Sequence, residues 1–223
     1  MTGYFVTATG TDIGKTYVSA ALLRHWRREQ RAIAALKPVL SGFDPADVPG
    51  SDAGQLLMAM DAPMDIQGLN LISPWRFRAP LSPDMAASRE GKTIPYDRLV
   101  ATCRAVAGMM PADGRLVIEG VGGVFVPLDD RHTVMDWMAD LDLPVLLVAG
   151  SYLGTISHTL AALTAMRHHQ LKPHAVILNE SPVSPVPIAE TAATLARHWP
   201  GLPIHILRRN ATAEDVALLA AAL

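Results

Sequence analysis

Unbroken apolar runs alternate along this chain with stretches in which apolar residues recur every three or four positions. The runs cover residues 4–8, 32–37, 116–119, 145–149, 175–179 and 204–207. They lack the in–out alternation of a strand with one wet face, so they predict strands buried on both faces, as in a parallel sheet. The helical period falls between them, over residues 16–30, 52–60, 96–110, 156–170, 188–198 and 213–222. Strand–helix alternation predicts an α/β fold with a doubly wound, mostly parallel sheet and helices on both faces. One segment breaks the rhythm. Residues 62–95 carry Pro74, Pro80 and Pro83 and show little periodicity, which predicts an irregular excursion over a binding site, with Trp75 and Phe77 arguing against disorder. The length of 223 residues suits one domain spanning 1–223.

Ligands of such sheets bind beyond the carboxyl ends of the strands. The first strand runs into Thr7-Ala8-Thr9-Gly10-Thr11-Asp12-Ile13-Gly14-Lys15-Thr16, and a helical pattern follows. Strand, glycine-bearing loop, Gly-Lys-Thr and helix form, in that order, a phosphate cradle in which loop N–H groups and the positive helix end wrap an anion. The reading makes Asp12, Ile13, Gly14, Lys15, Thr16 and Tyr17 the nucleotide-binding segment. Lys15 reaches the outer phosphates and the Thr16 hydroxyl serves Mg²⁺. The usual pattern places a glycine where this chain has Thr9.

Other polar residues fall at the same strand ends. Lys37 and Ser41 follow the second strand; the lysine is either a fixed positive charge or a surface residue with its stem on apolar neighbours. Asp52 opens a helix and is either its cap or a carboxylate near the metal. Glu119 ends an apolar strand and precedes Gly120, Gly122 and Gly123, so it is either a metal-side carboxylate or part of a tight turn. Asn179 ends the fifth strand and, with Glu119, is counted among the nucleotide-binding residues. Gly154, Thr155 and Ser157 start a helix whose free N–H groups suit a carboxylate or phosphate, or which Thr155 simply caps.

Composition narrows the classes. A net charge of −2 gives no broad electrostatic case for nucleic acid or an acidic membrane surface, and no apolar run is long enough to span a bilayer. Cys103 is the only cysteine, which excludes an intrachain disulfide; with no signal peptide at the start, a cytoplasmic location is expected. The eight histidines show no metal spacing, and His168-His169 read as a solvated helix end.

Taken together, these residues resemble the dethiobiotin synthetase family of ATP-dependent ligases. The likeness runs to about Asn179 through Phe5-Val6-Thr7, Gly14-Lys15-Thr16, Lys37-Pro38-Val39, Ser41-Gly42, Ser51-Asp52-Ala53, Ala79-Pro80 with Ser82-Pro83, Glu119-Gly120, Gly122-Gly123, Pro127-Leu128, Asp136-Trp137, Leu153-Gly154 and His158. The family's phosphate loop is one residue longer than the usual pattern, which accounts for Thr9. The resemblance implies joining of CO₂ to 7,8-diaminopelargonic acid with Mg²⁺ and ATP, through a carbamate and a carbamic-phosphoric anhydride, to a cyclic urea. It implies Lys37, Lys15 and Thr16 as catalytic residues and Thr16, Asp52 and Glu119 around the metal. Lys37 and Ser41 hold the carbamate, and Gly154, Thr155 and Ser157 receive the substrate carboxylate from a second subunit of a homodimer. Trp75, Pro80 and Leu81 are expected over the alkyl chain. Ala8 replaces a loop glycine of many relatives, and Asp84 replaces a histidine. A nucleotide-switched ATPase of the partitioning kind is the alternative reading, but Gly10 stands where those proteins carry a second lysine; a non-catalytic nucleotide-binding relative is another.

Overall fold

The computed structural model describes residues 2–223. The strands are β1 (Thr2–Ala8), β2 (Ile33–Leu36), β3 (Val39–Ser41), β4 (Trp75–Phe77), β5 (Arg115–Glu119), β6 (Val145–Ala149), β7 (Pro173–Asn179) and β8 (Ile204–Leu207). The helices are α1 (Lys15–Arg28), α2 (Asp52–Met60), α3 (Ile66–Ile72), α4 (Pro83–Arg89), α5 (Tyr96–Met109), α6 (Val134–Leu141), α7 (Thr155–His168), α8 (Ile188–His198) and α9 (Ala213–Ala221). Six strands form a wholly parallel sheet in the order β2-β5-β1-β6-β7-β8. The chain winds both ways from β1, whose neighbours are β5 and β6, so the crevice above it is the topological switch point.

The apolar runs are buried as expected: Phe5, Val6, Leu116, Val117, Ile118, Leu146, Leu147, Val148, Val176, Ile177 and Leu178 are all inaccessible to solvent. Helices cover both faces because a parallel sheet with two apolar faces has no wet side. Trp137 of α6 is fully buried, with its ring edge-on to Phe5 at 4.9 Å. The Asp136-Trp137 pair is thus structural: Trp137 fills the core, and Asp136 accepts from the Thr133 N–H at 2.7 Å and hydroxyl at 2.8 Å, which starts α6.

The six expected strands and six expected helices are all present, with ends displaced by a few residues. Residues 62–95 are not irregular. They hold α3, β4 and α4, and β4 pairs in parallel with β3 as a separate two-stranded sheet. Asp65 accepts from the Gly68 N–H at 2.8 Å to cap α3, and Pro83 stands in the first turn of α4, where its missing N–H costs nothing. These pieces escape the periodicity argument because each is shorter than two helical turns or is a three-residue strand paired far along the chain. Among the described residues no helix is long and apolar enough to cross a membrane.

Candidate functional site

The carboxyl ends of β1, β2 and β5 open into a cleft of about 900 Å³. Its walls include Asp12, Gly14, Lys15, Thr16, Tyr17, Lys37, Ser41 and Asp52, all picked out from sequence. At its floor the loop after β1 turns sharply into α1. Gly14 makes that turn at φ +97°, and the N–H groups of Lys15, Thr16 and Tyr17 have no backbone acceptor among the described residues. This is the free helix start that an anion requires. Asn179 is outside the cleft wall and acts on the loop from behind: its Nδ2 donates to the Ile13 carbonyl at 3.0 Å. Ala8 is the last residue of extended β1 and does not have a positive φ, so the loss of a glycine there costs no strain.

Two buried lysines enter the cleft. Lys15 donates from Nζ to the carbonyls of Gly122 at 2.9 Å and Gly10 at 3.3 Å. Burial, helped by the charge of Lys37, lowers its pKa to about 8. Lys37 is 1% exposed, which overturns the surface-lysine reading. Its Nζ meets Glu119 Oε1 at 2.8 Å, Asp52 Oδ2 at 2.9 Å and the Gly120 carbonyl at 2.8 Å. Burial opposes the ammonium, but the two carboxylates outweigh it and hold its pKa above the ordinary lysine value. Burial likewise works against the Asp52 carboxylate, but Lys37, Thr16 and Lys15 together outweigh it, so its pKa is lowered.

Thr16 completes the cluster, with Oγ1 2.7 Å from Glu119 Oε1 and 2.9 Å from Asp52 Oδ1. Ser51, not Asp52, caps α2, accepting from the Gly54 N–H at 3.1 Å, which leaves the Asp52 carboxylate to the cluster. The other Glu119 oxygen, Oε2, is buried without a hydrogen-bond partner among the described residues. Two carboxylates and a hydroxyl are hard oxygen donors, and an unpartnered buried carboxylate oxygen is costly unless a cation or water meets it. The set fits Mg²⁺ held jointly with nucleotide phosphates. No group of three or more acidic, His or Cys residues able to hold a metal alone occurs among the described residues.

Other expected residues fall elsewhere. Pro80 and Leu81 line the cleft, whereas Trp75 lies in β4 and is not part of its wall. The alternative in which Thr155 caps α7 does not hold. Gly154 is the α7 cap at φ +99°, and Thr155 is buried with its hydroxyl donating to the Gly150 carbonyl at 2.8 Å. Its N–H also bonds to the Tyr152 carbonyl at 3.1 Å. Gly154 and Ser157 are exposed and, with Thr155, lie outside the cleft of their own chain. Sequence reasoning missed Gln55, Val121, Val126 and a role for the unpartnered Ser82 hydroxyl in or at the cleft. The glycines after Glu119 take a part that their type does not announce: the Gly122 and Gly120 carbonyls receive Lys15 and Lys37.

The lowered pKa of Lys15 has a measurable result. Phosphates favour the charged amine, so above pH 8 nucleotide binding returns a proton to it, whereas below pH 8 the proton is already present. Calorimetry of metal-free ADP binding, in buffers of different ionisation enthalpy, is expected to show uptake approaching one proton at pH 9 and almost none at pH 6.5. Affinity falls as pH rises through 8. Equal uptake at both pH values would contradict the buried, partly discharged Lys15.

Comparisons with known proteins show the family. A family model described as an AAA domain matches residues 2–209. ATP-dependent dethiobiotin synthetase BioD of Acidiphilium cryptum is 50% identical over 204 residues, covering 91% of each chain. The Phenylobacterium zucineum protein of the same name is 45% identical over 224 residues, covering 100% of this chain and 95% of its own. Among solved structures, the septum site-determining protein MinD from Pyrococcus horikoshii, complexed with Mg-ADP, superposes with a TM-score of 0.59 at 15% identity, covering 98% of this chain and 86% of that one. A ParA family ATPase from Chlorobium tepidum gives 0.55 at 14% identity, covering 100% and 90%. These two likenesses concern the fold alone. With relatives at 45–50% identity over nearly its whole length, the chain belongs to the ATP-dependent dethiobiotin synthetase family of ligases.

Proposed function

We propose that this protein closes the ureido ring of dethiobiotin from 7,8-diaminopelargonic acid, CO₂ and Mg-ATP. The observation that carries the reading is the pairing of two buried lysines, Lys15 and Lys37, in one cleft at the end of a phosphate loop. A nucleotidase needs one lysine on its phosphates. A second buried ammonium is suited to a second anion brought against the γ-phosphate. A carbamate is such an anion. One substrate amine adds to CO₂, losing a proton, and a carbamate oxygen attacks the γ-phosphorus, releasing ADP. The second amine then attacks the carbonyl carbon and expels phosphate, leaving the cyclic urea.

Thr16, Asp52 and Glu119 would hold Mg²⁺, which when bound supplies positive charge to the phosphates. Lys15 neutralises the transferring group, and Lys37, with Ser41 beside it, fixes the carbamate. The Ser41 hydroxyl lines the cleft, is buried, and has no partner among the described residues, consistent with a group reserved for substrate. Catalysis is then positioning and electrostatics with no covalent enzyme intermediate. Asp12, exposed at φ +57° and lining the cleft, is assigned to the nucleotide on this reading. The same reading includes a cytoplasmic homodimer. The N–H groups of Ile156 and Ser157 lack backbone acceptors among the described residues, and Leu153 beside them is 86% exposed. A helix start placed in this way suits the carboxylate of a substrate bound in another copy's cleft.

The test is phosphate release from Mg-ATP and bicarbonate, with and without the diamine. Release dependent on the diamine and matched by the ureido product in mass spectrometry is expected. Diamine-independent hydrolysis, or none, would contradict the assignment.

A further inference from the structure

The Lys37 ammonium has three N–H groups, and the structure commits all of them: one each to Glu119 at 2.8 Å, Asp52 at 2.9 Å and the Gly120 carbonyl at 2.8 Å. In this arrangement none is left for a substrate anion. The carboxylates it occupies are those that, with Thr16, make up the oxygen set suited to a divalent cation. Lys37 is held by the same Glu119 Oε1 that is bonded to Thr16. Two carboxylates crowd the ammonium, one of them the fully buried Glu119, and an anion brought to the same nitrogen would be repelled by both.

We propose that Lys37 is a place-holder in the free enzyme: it pairs with Asp52 and Glu119 until the metal-bearing nucleotide takes those carboxylates, and only then turns its N–H groups to the carbamate. The inference rests on the proposed reading of the cleft and adds an order of assembly to it. Nucleotide with metal comes first, and the carbamate is held second. Three features make the exchange feasible. A lysine stem turns about several single bonds, so its charge can move while its Cα stays fixed. The Gly120 carbonyl lies beside the carboxylates and can keep one N–H throughout. Ser41, buried, unpartnered and on the same wall, marks where a substrate group can be met. The pairing also explains how the fully buried Glu119 carboxylate is tolerated without metal: an unpaired buried charge would be strongly destabilising.

Two measurements test it, and neither reads product. In the first, Mn²⁺ binding in the presence of ADP is followed by electron paramagnetic resonance for the wild type and for Lys37→Gln. Removing the competing ammonium is expected to tighten Mn²⁺ at least about tenfold, as expected where a charge competes for shared oxygens. Unchanged or weaker Mn²⁺ binding would overturn the proposal. In the second, the wild type is labelled with ¹³C at lysine Cε, and the Lys37 signal is identified by its loss in Lys37→Gln or, if that variant does not fold, in Lys37→Arg. Mg-ADP is expected to shift this signal, while ADP with a chelator leaves it near its free position. A Lys37 signal that ignores the metal would overturn the exchange even if Mn²⁺ affinity changed through charge alone. Because ring closure is scored in neither experiment, failure of the exchange leaves the ligase assay standing, and failure of the ligase assay leaves the exchange measurable.

Discussion

Lys37→Gln is expected to lower kcat by about a thousandfold or more while nucleotide still binds. Glutamine keeps a hydrogen-bond donor near Gly120 and Glu119 but removes the charge. Loss of one preorganised donor at a developing charge costs roughly 10²–10³ in rate. Among the described residues the lost group is also the only buried ammonium besides Lys15 in the cleft wall. The nucleotide contacts, meaning the α1 start, Lys15 and Thr16, do not involve Lys37, so the dissociation constant for Mg-ATP should not weaken beyond about threefold. Kinetics with diamine, bicarbonate and ATP, beside calorimetric ATP titration, separate the two effects. Near-normal turnover would remove Lys37 from the chemistry. Lost nucleotide binding would make it part of the phosphate cradle instead.

The second large effect is expected at Gly14, where the variant is Gly14→Ala. The backbone there has φ +97°, and an added Cβ would lie 2.2 Å from Asn179 Nδ2. The left-handed conformation costs a residue with a Cβ about 1–2 kcal/mol. Displacing the Asn179 amide forfeits its bond to the Ile13 carbonyl, about another 1 kcal/mol. If the loop opens to relieve both, nucleotide affinity falls by roughly 30- to 150-fold, at 1.4 kcal/mol per tenfold. Paired with Asn179→Ala, which removes the clashing group, the loss should be partly restored, giving a coupling that neither single variant shows. Undiminished affinity in Gly14→Ala, or strict additivity in the double variant, would contradict the contact.

These two residues illustrate what the sequence made legible. Gly14 and Lys15 could be read because strand, loop and helix are consecutive, so their geometry is local. The parallel sheet could be read from the unbroken apolar runs, whose burial on both faces requires covering helices. The Lys37–Asp52–Glu119 cluster was half legible: each residue stood at a strand or helix end, but their meeting within 3 Å joins segments 82 residues apart, and that closeness depends on β2 pairing with β5. The choice between cap and cluster for Asp52 turned on its neighbour Ser51 taking the cap. The cap of α7 is Gly154 and not Thr155, whose hydroxyl bonds the Gly150 carbonyl, a partner that the folded loop brings near. The β3–β4 ribbon was invisible because its partners are three residues long and distant in sequence. The fold alone does not separate this chain from the partitioning ATPases it superposes on. Relatives at 45–50% identity over nearly the whole chain do.

The central claim is that a carbamate oxygen attacks the γ-phosphate, and oxygen tracing tests it most directly. With C¹⁸O₂ supplied in a brief reaction before exchange with water, one labelled oxygen should appear in inorganic phosphate for each ureido ring formed, the other should remain in the ring carbonyl, and ADP should carry none. Labelled product accompanied by unlabelled phosphate would mean that the carbamate is never phosphorylated, and the roles given to Lys15 and Lys37 would fall with it.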